Sequence, residues 1–205
     1  MGVVKHSHIL FTMPRVKTFD QQQVLEKAME LFWEKGFAAT SIQDLVSHLG
    51  INRASLYDTY GGKEELFCKS FELYRQKNTR AILEFLNNEP DVRKGLRSLF
   101  EMGIQEAIQD QGRKGCFVVN VTTELVPRDK KMLTVVRENK KNFEGIFLNY
   151  LQKGELENQF PEGKDLKAIA SLLFTLYNGL KVVSKVEPEK EQMQRTVSTA
   201  LSLLD

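Results

Sequence analysis

The sequence predicts an all-α protein, with an N-terminal three-helix domain followed by a C-terminal helical bundle. Apolar residues recur every three or four positions over most of the 205 residues, which is the spacing of one helix face, and these segments number about nine. Glycine and proline stand between the segments, as at Gly36, Gly50 and Pro90. We expect the N-terminal domain to cover 18–78 and the bundle to cover 79–205.

Composition limits the class of protein that this chain can form. A formal net charge of +2 does not by itself indicate a nucleic-acid partner. Cys68 and Cys116 lack the spacing of a metal site or a redox pair, which suits a reducing cytoplasm. No apolar run approaches the roughly 18 residues of a membrane helix. We therefore predict a cytoplasmic protein with no membrane partner.

The first predicted helix spans 20–35, and its apolar residues form one stripe that ends before Gly36. Residues 40–63 then indicate two short helices joined by a tight turn. The first of these two can begin with a capping box, formed either by Thr40 with Gln43 or by Ser41 with Asp44. Its apolar face ends just before Gly50.

The second short helix begins after Asn52, which is a favourable N-cap. Arg53, Ala54 and Ser55 form its first turn, and Leu56 points back to the core. The pair is a helix-turn-helix, whose second helix can enter the major groove of DNA with its N-terminal residues against the base edges.

The segment LGINRASLYDTYGGKEEL, residues 49–66, resembles the DNA-binding signature of the TetR/AcrR family of bacterial transcriptional regulators. The similarity starts near Phe19, is sharp to about Phe71, and continues beyond it as a similarity of layout. It implies an all-α homodimer, usually a repressor, that leaves its operator when a ligand enters the C-terminal domain. Two residues depart from the family pattern and reduce the positive charge at the DNA face: Asp58, where the family often has His, and Gly61, where Lys is common.

Nine residues of this motif are predicted to contact DNA. Arg53 can make a bidentate contact to guanine, and Ala54 is small enough to let the helix approach and to touch a thymine methyl. The polar side chains suit phosphate contacts, which set the register. Lys63 is unfavourable at a helix N-terminus, which a phosphate opposite it would explain. The predicted set is Thr40, Ser41, Asn52, Arg53, Ala54, Ser55, Tyr57, Tyr60 and Lys63. For Tyr60 the alternative is packing in the core of the domain.

Six further helices are predicted after the motif. The fourth is long enough to belong to both domains and to link them mechanically. The seventh is expected to stop at Gly154. The eighth is apolar almost all round, so it must be buried on more than one side, and we predict a homodimer through the eighth and ninth helices, with Gly179 allowing close approach. The six predicted ranges are 63–87, 92–109, 116–125, 129–153, 163–185 and 188–204.

A small-molecule effector of unknown identity is expected between the helices of the bundle, in an apolar pocket with a few polar groups. Cys116 is one candidate, because it follows Arg113 and Lys114 at a predicted helix start, and cations and a helix N-terminus stabilise a thiolate. The alternative for Cys116 is a small buried core residue. The other candidates, for each of which plain core packing is the alternative, are Phe100, Phe117, Phe143, Phe147, Tyr150 and Tyr177.

No cofactor and no enzymatic activity are predicted. Outside the first eighteen residues the one histidine is His48, within the helix-turn-helix, and no Ser-His-acid set, nucleotide loop or metal cluster is visible. Residues 1–18 are mildly basic, and we interpret them as a disordered leader or as an arm that contacts the minor groove; metal binding by His6 and His8 is disfavoured. The predicted function is a repressor of a palindromic double-stranded DNA operator, released by a small molecule or an electrophile. The alternatives are a Cys116-based activator and, less favoured, a small all-α enzyme.

Overall fold

The computed structural model describes residues 19–205, which contain nine α-helices, one short 3₁₀ segment and no strand. The all-α class is therefore confirmed for this range. The predicted arm or leader, 1–18, and the histidine pair within it lie outside the described residues. The helices are α1 (Gln21–Lys35), α2 (Ile42–Leu49), α3 (Arg53–Tyr60), α4 (Lys63–Asn87), α5 (Val92–Gln109), α6 (Phe117–Glu124), α7 (Lys130–Leu156), α8 (Leu166–Val183) and α9 (Lys190–Leu201), followed by the 3₁₀ turn Ser202–Leu204.

Local capping interactions fix the helix-turn-helix. Of the two proposed capping boxes, the structure contains the one in which Ser41 Oγ accepts from the Asp44 N–H at 3.0 Å and the Asp44 carboxylate accepts from the Ser41 N–H at 2.9 Å. Gly50 ends α2 in the left-handed region, with φ of 67°. Asn52 Oδ1 then accepts from the Ser55 N–H at 2.8 Å and begins α3.

The buried apolar residues form two clusters, and α4 contributes to both. Leu66, Phe67 and Phe71 in its first half belong to the N-terminal cluster with α1, α2 and α3. Ile82 and Leu86 in its second half belong to the cluster formed with α5, α7, α8 and α9. A single rigid helix therefore links the cores of the two units.

Helix α6 completes the N-terminal cluster, although it lies far beyond residue 78 in the chain. Phe117 is 1% exposed, and its ring centroid lies 6.0 Å from that of Phe67, 5.4 Å from Phe71 and 5.5 Å from Tyr74. The Trp33 ring of α1 stacks on the Phe117 ring, with 6.5 Å between the ring centroids. The core of the N-terminal unit thus includes a residue supplied by the second half of the chain.

Helix α8 is long and apolar enough, by length and composition, to cross a membrane, so the expectation that no segment approaches this limit was too strict. A core helix of a soluble protein passes the same test, and α8 buries one face, including Leu173 and Tyr177, against α5 and α7. Within one chain its other face is open, with Leu172 41% and Val183 55% exposed. The prediction of burial on more than one side thus requires a further partner.

Gly154 does not stop α7, and this prediction was wrong, because the helix continues to Leu156. The glycine instead allows close packing within the core. A Cβ at this position would lie 2.8 Å from both Phe160 Cε1 and Val92 Cγ2. The remaining differences in helix ends are small: Cys116 caps α6 and Asp165 caps α8.

Two glycines of α7 provide a matched test of this packing. Gly154→Ala should lower the free energy of unfolding by about 1–3 kcal/mol, since Val92 and Phe160 must move to admit the methyl group. Gly145→Ala should be neutral or stabilise by up to about 1 kcal/mol, because a Cβ there has no neighbour within 4 Å and alanine favours the helix. Urea unfolding at one fixed protein concentration measures both. Equal effects of the two substitutions would show that Gly154 has no packing role.

Candidate DNA-binding surface and internal cavity

Helix α3 turns one face to the core and the other outward. Leu56 and Tyr60 are buried, at 0% and 5% exposure. Arg53, Ala54 and Tyr57 are exposed. The Arg53 guanidinium carbon lies 5.8 Å from the centre of the Tyr57 ring, which orders this long side chain at the helix N-terminus. The three residues therefore form one accessible surface at the start of the second helix of the motif.

Two of the nine residues predicted to contact DNA have buried side chains, and their contacts stay predictions. Thr40 is 0% exposed, and its hydroxyl donates to the Gly36 carbonyl at 2.6 Å. The Tyr60 hydroxyl donates to the carbonyl of Gln21 at 3.0 Å, and burial raises the pKa of Tyr60. Both side chains hold the N-terminal unit together instead of facing solvent.

Ser41, although exposed, is already hydrogen-bonded within α2. Its hydroxyl lies 2.6 Å from Asp44 Oδ2, and the Lys35 ammonium approaches the same carboxylate at 2.9 Å. The hydrogen bonds from Ser41 and Lys35 hold the pKa of Asp44 below its usual range. Ser41 therefore serves first as the cap of α2.

Lys63 has a partner inside the protein. Its ammonium lies 4.3 Å from the centre of the Phe37 ring, and Glu64 and Glu65 in the same turn complement the helix dipole. A nearby phosphate is therefore not needed to explain a lysine at this position. The phosphate contact of Lys63, like the contacts of Asn52 and Ser55, stays a prediction.

A cavity of about 750 Å³ lies where the N-terminal unit meets the bundle. Its wall is formed by α1, α4, α5, α8 and the loop that joins α5 to α6. The lining residues include Met29, Trp33, Tyr74, Lys77, Glu106, Ala107, Asp110, Arg113, Lys114, Gly115, Lys181 and Lys185.

The predicted ligand-binding residues do not line this cavity. Tyr177 packs edge-on against Phe100 and Phe147 in the bundle core. The Tyr150 hydroxyl lies 2.7 Å from the Glu89 carbonyl oxygen, and burial raises the pKa of Tyr150 to about 12. The remaining three, Phe143 in the bundle core and Cys116 and Phe117 in the N-terminal cluster, are equally buried. Ligand binding by these seven residues stays a prediction.

Cys116 lies behind the cavity wall, next to Gly115. It is 4% exposed, and the Tyr74 hydroxyl donates to its sulfur at 3.8 Å. The cation near it is not one of those expected from the sequence, since the Lys114 ammonium lies over the Trp33 ring at 4.9 Å. That cation is Lys181 of α8: burial disfavours its charge, but Tyr177, Cys116 and Glu106 raise its pKa.

Helix α6 is attached to the N-terminal unit at both ends. At its start, the Gly115 carbonyl accepts from the Trp33 indole N–H at 3.0 Å. At its end, the Glu124 carboxylate accepts from the backbone N–H groups of Phe37 at 3.1 Å and Ala38 at 2.7 Å. Glu124 thereby holds the turn between α1 and α2. No local pattern in the sequence indicates this contact, because the partners are 87 and 86 positions apart.

Comparison with known proteins agrees with this geometry. Residues 24–68 match the family model described as "Bacterial regulatory proteins, tetR family", and residues 91–200 match "Tetracyclin repressor-like, C-terminal domain". The chain is 34% identical to the uncharacterized HTH-type transcriptional regulator YezE of Bacillus subtilis (strain 168), over 94% of this chain and 100% of that protein. It is 25% identical to the HTH-type transcriptional repressor ComR of Escherichia coli (strain K12), over 92% and 90%.

Among solved structures, the fold matches a cysteine mutant of the TetR family transcriptional regulator CifR complexed with 26-bp double-strand operator DNA. The TM-score is 0.83 at 23% identity, and the match covers 94% of this chain and 100% of that one. At this identity the likeness establishes the fold.

Proposed function

Because the chain belongs to the TetR family of bacterial transcriptional regulators and is not an enzyme, we propose that it is a cytoplasmic repressor that binds a palindromic operator and is released by a small molecule. The observation that carries this proposal is the exposed face of α3, with Arg53, Ala54 and Tyr57 at the start of a correctly capped helix-turn-helix. The repressor role is further supported by the similar protein ComR, which is named a repressor.

In the proposed complex the start of α3 enters the major groove. Arg53 donates two hydrogen bonds to a guanine, and the Ala54 methyl meets a thymine methyl. Tyr57 and Lys63 contact phosphates on either side and set the register, with Ser41, Asn52 and Ser55 at the edge of the same surface. Sequence recognition therefore depends mainly on Arg53.

A homodimer through α8 and α9 would present two such surfaces. The open face of α8 carries the exposed apolar side chains Leu172 and Val183, and Gly179 between them has no neighbour within 4 Å of a built Cβ. An apolar groove of about 410 Å³ separates this face from α9. A two-fold axis here would match a palindromic site.

Release is proposed to act through α4. The two α3 helices must fit successive major grooves, about 34–36 Å apart. Helix α4 begins at Lys63 near the DNA and passes the cavity at Tyr74, so a change of its tilt alters that spacing. An effector that favours the wrongly spaced state by about 100-fold shifts the equilibrium by roughly 2.7 kcal/mol.

A second signal, an electrophile, is favoured by the surroundings of Cys116. The sulfur lies beside Tyr74 and Lys181, both of which also line the cavity, so a reagent would reach it from there. With an α,β-unsaturated carbonyl, the thiolate adds to the β-carbon, a C–S bond forms, and the α-carbon takes up a proton. The adduct would disturb the packing of Cys116 at the start of α6.

Arg53→Ala should abolish discrimination of the operator while the fold remains, because a recognition arginine contributes about 1–3 kcal/mol of base discrimination. Lys63→Ala should weaken operator and random DNA alike and reduce the salt slope by about one. Fluorescence anisotropy with both DNAs at several salt concentrations separates the two. Equal losses on specific and random DNA in both variants would contradict the assigned roles.

Leu172→Glu should give monomers that no longer bind DNA, because it places a charge on the exposed apolar face of α8. Leu176 and Leu180 are unsuitable, since both also pack on the core of their own chain. Leu156→Glu is the matched control, because Leu156 is 84% exposed at the end of α7, away from that face. Sedimentation velocity measures the assembly. Dimers that persist in the Leu172→Glu variant place the interface elsewhere.

N-ethylmaleimide should release the wild-type protein from operator DNA, and Cys116→Ser should resist. Cys68→Ser should still be released, because the half-buried Cys68 lies outside the cavity and burial raises its pKa. Mass spectrometry identifies the modified cysteine in each case. Release of the Cys116→Ser variant at the wild-type rate would reject the thiol switch and leave the reversible effector as the signal.

A further inference from the structure

The cavity between α1, α4, α5 and α8 has a strong charge bias. Five of its lining side chains are basic and two are acidic. A volume of about 750 Å³ is in the range of small-molecule sites, about 300–1,000 Å³. An excess of positive charge around a partly open cavity favours an anionic occupant and disfavours a cationic one.

Most of the charged groups around the cavity already have partners. Lys77 pairs with Glu26 at 2.7 Å, and Lys114 lies over the Trp33 ring. Asp110 accepts from the backbone N–H of Gly115 at 2.8 Å. These groups therefore form part of the cavity wall, and each already has an interaction partner within the protein.

Lys181 differs from the others. Its side chain is 16% exposed, yet the nearest carboxylate oxygen, on Glu106, is 3.6 Å away and belongs to a side chain that is 72% exposed. The centre of the Tyr177 ring lies 4.9 Å from this ammonium, and its one carboxylate partner is largely exposed. A carboxylate placed within the cavity would therefore add a second ion pair in a region of reduced solvent. Lys185 lies in the turn just after α8, and its ammonium donates to the neutral Asn120 amide oxygen at 2.7 Å. The two lysines form a positively charged region at the C-terminal end of α8.

The rest of the wall provides an apolar surface. Met29 and Trp33 of α1 and Ala107 of α5 face the same space, together with the Tyr74 ring of α4. The flat or short apolar part of a ligand can pack against this surface while the charged group of the same ligand reaches α8. An occupant of this shape would touch both the N-terminal unit and the bundle.

We propose that the cavity binds an organic carboxylate with an aromatic or short apolar body, its carboxylate held by Lys181 with Lys185 and its body against Trp33. This proposal names the chemical class of the effector. It rests on the proposed function in one respect, namely that an occupied cavity releases the protein from DNA. Binding itself requires no DNA. The two parts can therefore fail separately.

The test compares 4-phenylbutyrate with its neutral match, 4-phenylbutyramide, by calorimetry on the full chain. The carboxylate should bind at least about tenfold more tightly, which corresponds to about 1.4 kcal/mol. Binding should also change the emission of Trp33, the sole tryptophan of the chain, which lines the cavity. Equal affinity for the two compounds, no binding of the carboxylate, or an unchanged Trp33 emission would overturn the proposal.

Lys181→Met should remove the preference for the carboxylate, because the apolar stem remains and the charge is lost. Lys77→Met is the matched control: it removes a charge from the same wall, but one already paired with Glu26, so the preference should persist. If Lys181→Met does not fold by circular dichroism, Lys185→Met takes its place with a partial loss expected. A preference that survives in the folded variant refutes the assignment. Carboxylate binding that depends on Lys181 without any operator binding would uphold the site and reject the repressor function.

Discussion

The packing of Phe117 among the aromatic rings of α1 and α4 is the interaction on which the rest of the structure depends. Three short helices cannot bury a sufficient core alone, and α6 supplies the missing part. Because Phe117 packs against Phe67 and Phe71, the positions of both ends of α6 are determined. Its start then lies at the cavity, beside Gly115, and its end carries Glu124 to the turn before α2. The position of the DNA-reading surface thus depends on a helix from the second half of the chain.

Features determined by neighbouring residues could be predicted from the sequence. The ends of α4 and α5 coincide with the predicted ranges, and Gly50 and Asn52 perform the expected roles at the turn of the motif. Each depends on interactions within about one helical turn, where residue type and spacing contain the necessary information.

Features that depend on distant contacts could not be predicted. The sequence leaves open whether Tyr60 faces solvent or packs in the core of its domain, and the hydrogen bond from its hydroxyl to the Gln21 carbonyl shows that it packs in the core. Gly154 follows a run of apolar residues as a helix stop would, but its neighbours are Val92 and Phe160 from other segments. The aromatic residues of the bundle were sound candidates by composition, yet the cavity formed at the junction of the two units, with Lys181 as a wall residue that no local pattern distinguishes.

The contribution of α6 has a consequence for the construction of hybrid regulators. A segment grafted as residues 19–78 would bring Phe67 and Phe71 but leave Phe117 and Glu124 behind, so its core would be closed by whatever aromatic or acidic residues the recipient happens to carry. The transferable unit is discontinuous in the chain and includes 116–124. Operator specificity can therefore be exchanged between relatives only when both segments are transferred together, or when the recipient's own α6 segment already matches the transferred one.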